Sequence, residues 1–299
     1  MAESAVPPTI SAKHRLEAAL AAVFMALMRA LPLDTASALG GFIGRAIGPR
    51  LGITKRAARN FRRVFPEKSD AEVAQAMRDM WDNLGRTAAE LPNLHRIQTR
   101  GPDSRVEIVG IEVIDAMRAA GKGGIVFSGH LANWEIMPLA AGQQGMALNL
   151  IYRAANNPLV DSMILAARAA ASGAHLPKGS QGAREAVEVI RRKGHLGILV
   201  DQKLNNGIPI PFFGRDAMTA PALAQLALKY GLPVIPGAVM RLKGCHFRLN
   251  VQPPLPLPDT GDRDEDTRLL MTAVNRCLED AIRAAPAQWL WLHRRWPDS

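Results

Sequence analysis

Gly124-Ile125-Val126-Phe127-Ser128-Gly129-His130-Leu131-Ala132-Asn133-Trp134-Glu135 opens with a short apolar run and closes on a polar turn. A run of this length, bounded by glycines and carrying β-branched residues, reads as a strand buried on both faces, the kind found inside parallel sheets. The residues around it alternate in the same way. Strands are expected over 106–109, 147–152, 196–200 and 232–240, and helices over 112–120, 158–171 and 181–193, the last with Ala183, Val187 and Ile190 on one face. Strands alternating with helices of this length imply crossover units around a largely parallel sheet. A Pro- and Asp-rich loop over 252–266 leads into a long amphipathic helix, with Leu269, Leu270, Ala273, Val274, Cys277, Leu278, Ala281 and Ile282 expected to face inwards. The expected architecture is α/β: a single domain with a largely parallel central sheet flanked by helices, plus an N-terminal helical extension. Residues 1–100 form that extension and 101–299 the α/β unit.

The chain has 299 residues, 48% of them apolar, which is enough to bury a core without disulfides or a structural metal. Cys245 and Cys277 are the only cysteines and have neither metal nor redox spacing. With 37 Lys and Arg against 27 Asp and Glu, the net charge of +10 points to an anionic partner. Acidic lipid head groups, an acidic carrier protein and nucleic acid share that property. Zinc-finger spacing and RNP-like aromatic motifs are missing, and aromatics at 5% supply few stacking platforms, so nucleic acid is not expected.

The longest uncharged N-terminal run, 18–28, is too short to cross a bilayer core, which needs about 20 residues. Glu3 and Glu17 ahead of it also argue against a signal peptide. Leu16, Leu20, Val23, Leu27 and Leu31 nevertheless recur at helical spacing beside an Ala-rich flank. Gly40, Gly44 and Gly48 follow at intervals of four, a spacing that brings helices close together. Over 55–65, a helix would place Ala57, Ala58, Phe61, Val64 and Phe65 on one side and five cations around the other. Two readings fit: an ordinary helical subdomain, and an interfacial anchor whose cations meet acidic head groups. The second is the expectation carried forward.

His130 falls at the carboxyl end of a buried strand, where open α/β sheets place their sites. Glu135 comes five residues later; on one regular helix the two would lie about 140° apart and could not meet. A strand, a tight turn and a helix start would let them face each other. A carboxylate on one imidazole nitrogen fixes the tautomer and leaves the other nitrogen to take a proton, which suits deprotonation of an attacking alcohol. From spacing alone, a structural His and a Glu favoured in a first helical turn are the reading preferred over catalysis. Ser128 does not sit in a nucleophile elbow, because Val126 stands where Gly is required. The sequence has no Walker A string, dinucleotide fingerprint or His-Glu-x-x-His. Neighbouring Cys245 and His246 have no third partner, and a partly buried thiol explains them.

The string from Gly129 to Glu135 resembles the lipid A biosynthesis late acyltransferases, the lauroyl and myristoyl transferases of Gram-negative bacteria. They fall within the His-x4-Asp/Glu lysophospholipid acyltransferase superfamily. Further blocks agree in order: Asn60-Phe61 with Phe65-Pro66-Glu67-Lys68-Ser69, Tyr152-Arg153 with Asn157-Pro158, Lys178-Gly179 with Arg184, and Asp201-Gln202. So do Pro211-Phe212-Phe213-Gly214, Pro233-Val234-Ile235-Pro236 and the ending Gln288-Trp289-Leu290-Trp291-Leu292-His293-Arg294-Arg295-Trp296. The resemblance covers nearly the whole chain.

It implies transfer of a fatty acyl chain from an acyl carrier protein thioester to a hydroxyl of a Kdo-bearing lipid A precursor. The place implied is the cytoplasmic face of the inner membrane, among its anionic lipids. His130 would be the general base, oriented by Glu135, with no enzyme nucleophile, metal, nucleotide or other cofactor. Arg153 would meet the oxyanion or an acceptor phosphate, with backbone N–H groups near Asn133 as the alternative donors. Asn133 itself would support the turn or touch substrate, while Lys178 and Arg184 would hold phosphate or sugar carboxylate. Asp201 and Gln202 would orient Arg153 or bind sugar hydroxyls. Trp134, Trp289, Trp291 and Trp296 are expected to pack, and Arg294-Arg295 to lie at the surface. Acylation of a lysophospholipid or ornithine lipid is the rival activity, and a non-catalytic basic membrane-binding protein the rival class.

Overall fold

The computed structural model describes residues 10–169 and 173–296. Four helices lead the chain: α1 (Ala12–Ala30), α2 (Leu33–Ile47), α3 (Thr54–Val64) and α4 (Asp70–Glu90). Strand β1 (Val106–Val109) and α5 (Ile111–Ala120) come next, then β2 (Gly124–Ser128), α6 (Ile136–Gln143) and β3 (Leu148–Tyr152). They are followed by α7 (Pro158–Arg168), β4 (His175–Pro177), α8 (Ser180–Arg191) and β5 (His195–Leu199). The hairpin β6 (Ile208–Phe212) and β7 (Arg215–Thr219) precedes α9 (Ala222–Tyr230), β8 (Val234–Lys243), β9 (His246–Val251) and α10 (Arg263–Ala284).

The main sheet has seven strands in the order β1-β9-β8-β2-β5-β3-β4. Strands β8, β2, β5, β3 and β4 run parallel, which bears out the expected crossover units. Strand β9 turns back antiparallel to β8 and carries β1 parallel to itself, so this edge reverses the sheet's direction. The expected helix over 158–171 is described to Arg168; 170 and 171 lie outside the described residues. One core lies between the sheet and α9, α10 and the terminal tryptophans, and a second lies beneath α5 and α6 on the other face. In α10 the expected inward stripe holds at Leu270, Val274, Leu278 and Ile282, but Leu269 turns out and is 37% exposed.

The glycine spacing in α2 has a direct use. A Cβ on Gly44 would overlap the Trp81 carbonyl of α4, and one on Gly85 of α4 would overlap the Gly40 carbonyl. Backbone therefore meets backbone along the α2–α4 contact. Ser69 caps α4 in a reciprocal box with Glu72, which fixes where this helix begins.

Helix α1 turns the expected face outwards. Its small seam of Ala18, Met25 and Met28 is buried, whereas Leu16, Leu20, Val23 and Leu27 are 63, 63, 68 and 50% exposed. Asn157, at the start of α7, donates through Nδ2 to the His14 carbonyl and to Glu17, tying α1 to the α7 end of the sheet. Among the described residues no helix is long and apolar enough to cross a membrane.

Candidate active site

Strand β2 delivers His130 to the carboxyl edge of the sheet, and neighbouring β5 delivers Asp201 to the same edge. His130 Nδ1 lies 2.7 Å from Asp201 Oδ1, and the His130 backbone N–H donates to Oδ2 at 2.7 Å. Trp289 Nε1 also donates to Oδ2 at 2.7 Å. Gly129 makes this approach possible, since a Cβ there would stand 3.1 Å from Asp201 Oδ2. Asp201 is fully buried. Burial raises its carboxyl, but the His130 charge, the hydrogen bonds from His130 and the nearby His293 outweigh that and hold it well below the usual carboxylate range. Its anion therefore fixes the imidazole's orientation and leaves Nε2 as the working nitrogen.

Glu135 does not play that part. Arg168, at the end of α7, grips it with Nε on Oε2 at 2.9 Å and Nη2 on Oε1 at 2.5 Å. The expected His130–Glu135 pair is thus replaced by two pairs, His130–Asp201 and Glu135–Arg168. Helix α6 begins at Ile136, so the chain is already turning helical at Glu135, which carries its carboxylate towards α7. His130, Glu135 and Arg168 line one cleft of about 170 Å³, together with Met137, Leu150, Gly197 and Leu199 on its apolar side, while Asp201 lies buried behind His130.

The turn between the two is held from both sides. Ala132 adopts φ +48°, and its carbonyl accepts from Asn83 Nδ2 and Thr87 Oγ1 of α4, each at 3.0 Å. Its N–H donates to the Gln288 carbonyl, and Leu290 donates to the His130 carbonyl, so the C-terminal segment pairs with the turn. Asn133 is buried; its Nδ2 donates to Glu90 at 2.8 Å and its Oδ1 accepts the Glu135 N–H at 3.1 Å. Those bonds make it a support of the turn, not a substrate contact.

Bacterial lipid A biosynthesis acyltransferase is the family whose model matches this chain, over residues 9–298. The chain belongs to that family. It is 23% identical to a lipid A biosynthesis acyltransferase of Haemophilus influenzae over 90% of this chain and 84% of the relative. It is 25% identical to the lipid A biosynthesis myristoyltransferase of Escherichia coli, covering 84% of this chain and 77% of the relative. The Escherichia coli lauroyltransferase is likewise 25% identical, with 89% and 86% covered. This member of the family is an acyltransferase enzyme of lipid A biosynthesis.

The other candidate residues divide by position. Arg153 is exposed at the cleft mouth, Nη2 3.4 Å from Asn156 Oδ1. Lys178 lines the cleft, its ammonium pKa pulled down by burial and by Arg153. Arg184 is exposed on α8 and is not part of the lining. Gln202 stands between two histidines, Nε2 3.3 Å from His130 Nε2 and 3.4 Å from His293 Nε2. Arg295, expected at the surface, is fully buried: it donates to the Met218 carbonyl, Thr219 Oγ1 and Asn275 Oδ1 and stacks over Phe212. Sequence reasoning missed Arg168 and His293. Arg168 lies in no quoted block, while His293 sits among tryptophans that read as packing.

Burial first, then His130 and Lys178, push the His293 imidazole down to about 4, although Asp201 opposes them. The unfolded chain's imidazole titrates at about 6.5, so across that interval the unfolded state binds more protons. The stability His293 contributes is therefore complete above about 6.5 and is lost as the pH falls towards 4. His293→Gln is expected to flatten this part of the stability–pH curve in urea titrations; an unchanged slope would contradict the assignment.

Proposed function

We propose that the enzyme moves a fatty acyl chain from an acyl carrier protein thioester to a hydroxyl of a Kdo-bearing lipid A precursor. The observation that carries this reading is His130, backed by buried Asp201, facing a largely apolar cleft that Arg153 and Lys178 also line. His130 Nε2 takes the proton of the acceptor hydroxyl as its oxygen bonds to the thioester carbon, and the carrier thiolate leaves and recovers that proton. A positioned base of this kind contributes about 10²–10⁴-fold in rate. Arg153 and Lys178, at the mouth, suit the acceptor's phosphate or carboxylate. The precursor and the carrier are both acidic, which fits a chain of net charge +10.

The test is acyl transfer by the full-length protein in detergent, with carrier thioesters of several chain lengths and a Kdo-bearing tetra-acylated precursor, read by mass spectrometry. A gain of one acyl chain, lost in His130→Ala, is expected. No gain from folded protein with any donor overturns the acceptor, and a gain on lysophospholipid instead moves it to that class.

The enzyme is proposed to work at the cytoplasmic face of the inner membrane, held by the outward leucine stripe of α1 against anionic lipid. A fully buried Leu or Val is worth about 1.5–3 kcal/mol. Leu20→Glu with Val23→Glu is expected to release the protein from phosphatidylglycerol-containing vesicles in flotation without altering its circular dichroism, because both side chains are exposed. Retained flotation would refute the role of the stripe.

A further inference from the structure

The acyl transfer proposed above develops negative charge on the thioester carbonyl oxygen, which needs N–H donors about 2.7–3.1 Å away. Arg153 is exposed and leans on Asn156. The turn's backbone is mostly committed. The N–H groups of residues 130, 131, 132, 135 and 136 donate to Asp201, Gly129, Gln288, Asn133 Oδ1 and the Asn133 carbonyl. Arg168 is spent on Glu135.

Two side chains stand close to the cleft-facing nitrogen of His130. Gln202 Nε2 lies 3.3 Å from His130 Nε2, and His293 Nε2 lies 3.4 Å beyond Gln202 Nε2. Both separations exceed a well-made hydrogen bond, so the amide is held loosely and an incoming hydroxyl can replace it on the base. His293 is anchored from behind, since its carbonyl accepts from Asn60 Nδ2 of α3 at 2.8 Å. Its ring centroid stands 5.2 Å from that of His130. The imidazole stays neutral at ordinary pH, so it carries one ring N–H and does not compete for the acceptor's proton. In the free enzyme its Nε2 accepts from the Gln202 amide, and the Nε2–H tautomer forms when that amide turns to the carbonyl oxygen. A neutral imidazole that polarises a carbonyl is an established catalytic arrangement.

We propose that Gln202 Nε2 and His293 Nε2 are the two donors that receive the oxyanion. This assignment rests on the acyl-transfer reading. The acceptor O–H proton passes to His130 Nε2, the acceptor oxygen bonds to the thioester carbon, and the carbonyl electron pair moves onto oxygen between the two N–H groups. Collapse of that adduct breaks the carbon–sulfur bond, and the departing thiolate takes the proton from His130. Gln202 and His293 are then catalytic residues, in contact with a reacting atom.

The experiment compares full-length wild type with Gln202→Leu, His293→Ala, His293→Gln and His130→Ala in the transfer assay. Each lost donor is expected to lower kcat by about 10²–10³-fold. KM for the carrier thioester should be unchanged, the mark of an interaction made only in the transition state. His293→Gln should recover most of kcat, because its amide offers an N–H near the same place. A second measurement uses a trifluoromethyl ketone analogue of the acyl thioester, whose hydrate, formed by addition of water, places a tetrahedral carbon and its oxygens where the adduct would lie. Its affinity should fall in parallel with kcat, while an inert thioether analogue binds all variants alike. Wild-type transfer that fails in His130→Ala but persists in the Gln202 and His293 variants would overturn the assignment and leave the donors to the N–H groups of residues 133 and 134. A rise in KM with kcat unchanged would also overturn it. Wild type that transfers no acyl chain would instead refute the acyl-transfer reading, and the ketone affinities would still decide the two donors.

Discussion

Asp201→Asn is expected to lower kcat by about 10⁴-fold while the protein remains folded, by analogy with loss of the carboxylate in a buried carboxylate–histidine pair. Asp201 accepts three hydrogen bonds, from His130 Nδ1, the His130 N–H and Trp289 Nε1. An amide has one oxygen to share among those donors. If its NH₂ turns to the ring, Nδ1 becomes the acceptor and Nε2 carries the proton, so the nitrogen facing the cleft is no longer a base. Glu135→Gln leaves this pair intact and costs less, since it disturbs only the grip of Arg168. Steady-state kinetics of the two variants beside their circular dichroism decides between them. The reverse order, with Glu135→Gln the more damaging, would return the orientation of the base to Glu135.

That comparison also marks how far the sequence could be read. The buried strand before His130, the parallel crossovers and the place of His130 at a strand end were legible because each is local: a strand shows as an apolar run and a turn as glycine. The partner of His130 was not legible. Glu135 is five residues away, whereas Asp201 is 71 residues away and meets His130 only because β2 and β5 are neighbours in the sheet. Asp201 was recognised at the end of a strand, but chain distance carries no information about strand order. The β6–β7 hairpin was hidden by Pro209 and Pro211, which demote a strand reading although only one side of this pair needs to hydrogen-bond. In α1 the helical period was plain, but the choice of buried face was not. The structure packs Ala18, Met25 and Met28 and leaves Leu16, Leu20, Val23 and Leu27 outside, a choice that side-chain hydropathy alone does not make. Arg295 shows the same limit: a cation in a terminal block reads as surface, and only the enclosing Met218 carbonyl, Thr219 and Asn275 make its burial tolerable.

Arg241→Met is expected to destabilise the fold by about 3–5 kcal/mol, the cost of leaving a buried charge without its partner. Glu90 is fully buried at the end of α4, and Arg241 of β8 meets it with Nη1 and Nη2 at 2.5 and 3.0 Å. Ser37 of α2 and Asn133 of the catalytic turn donate to the same carboxylate, at 2.6 and 2.8 Å. The guanidinium in turn donates through Nε to Asn83 at 2.9 Å, and Asn83 holds the Ala132 carbonyl. One ion pair therefore joins three parts of the molecule: the close-packed α2–α4 helices, the antiparallel edge of the sheet and the turn that carries His130. Removing the cation leaves Ser37, Asn133 and the Cys245 thiol to solvate a buried anion, and none of them can neutralise it. Removing both charges together, as Glu90→Gln with Arg241→Met, should recover much of the loss, because the buried anion is gone and the amide can still meet Asn133. Urea titrations of the two single variants and the double variant measure this as a coupling energy, and activity should fall with the turn's support in Arg241→Met. A cost below about 1 kcal/mol in Arg241→Met would mean that water reaches Glu90 when the guanidinium is absent. The turn would then keep its hydrogen bonds from Asn83 and Thr87 and its backbone pairing with Gln288 and Leu290.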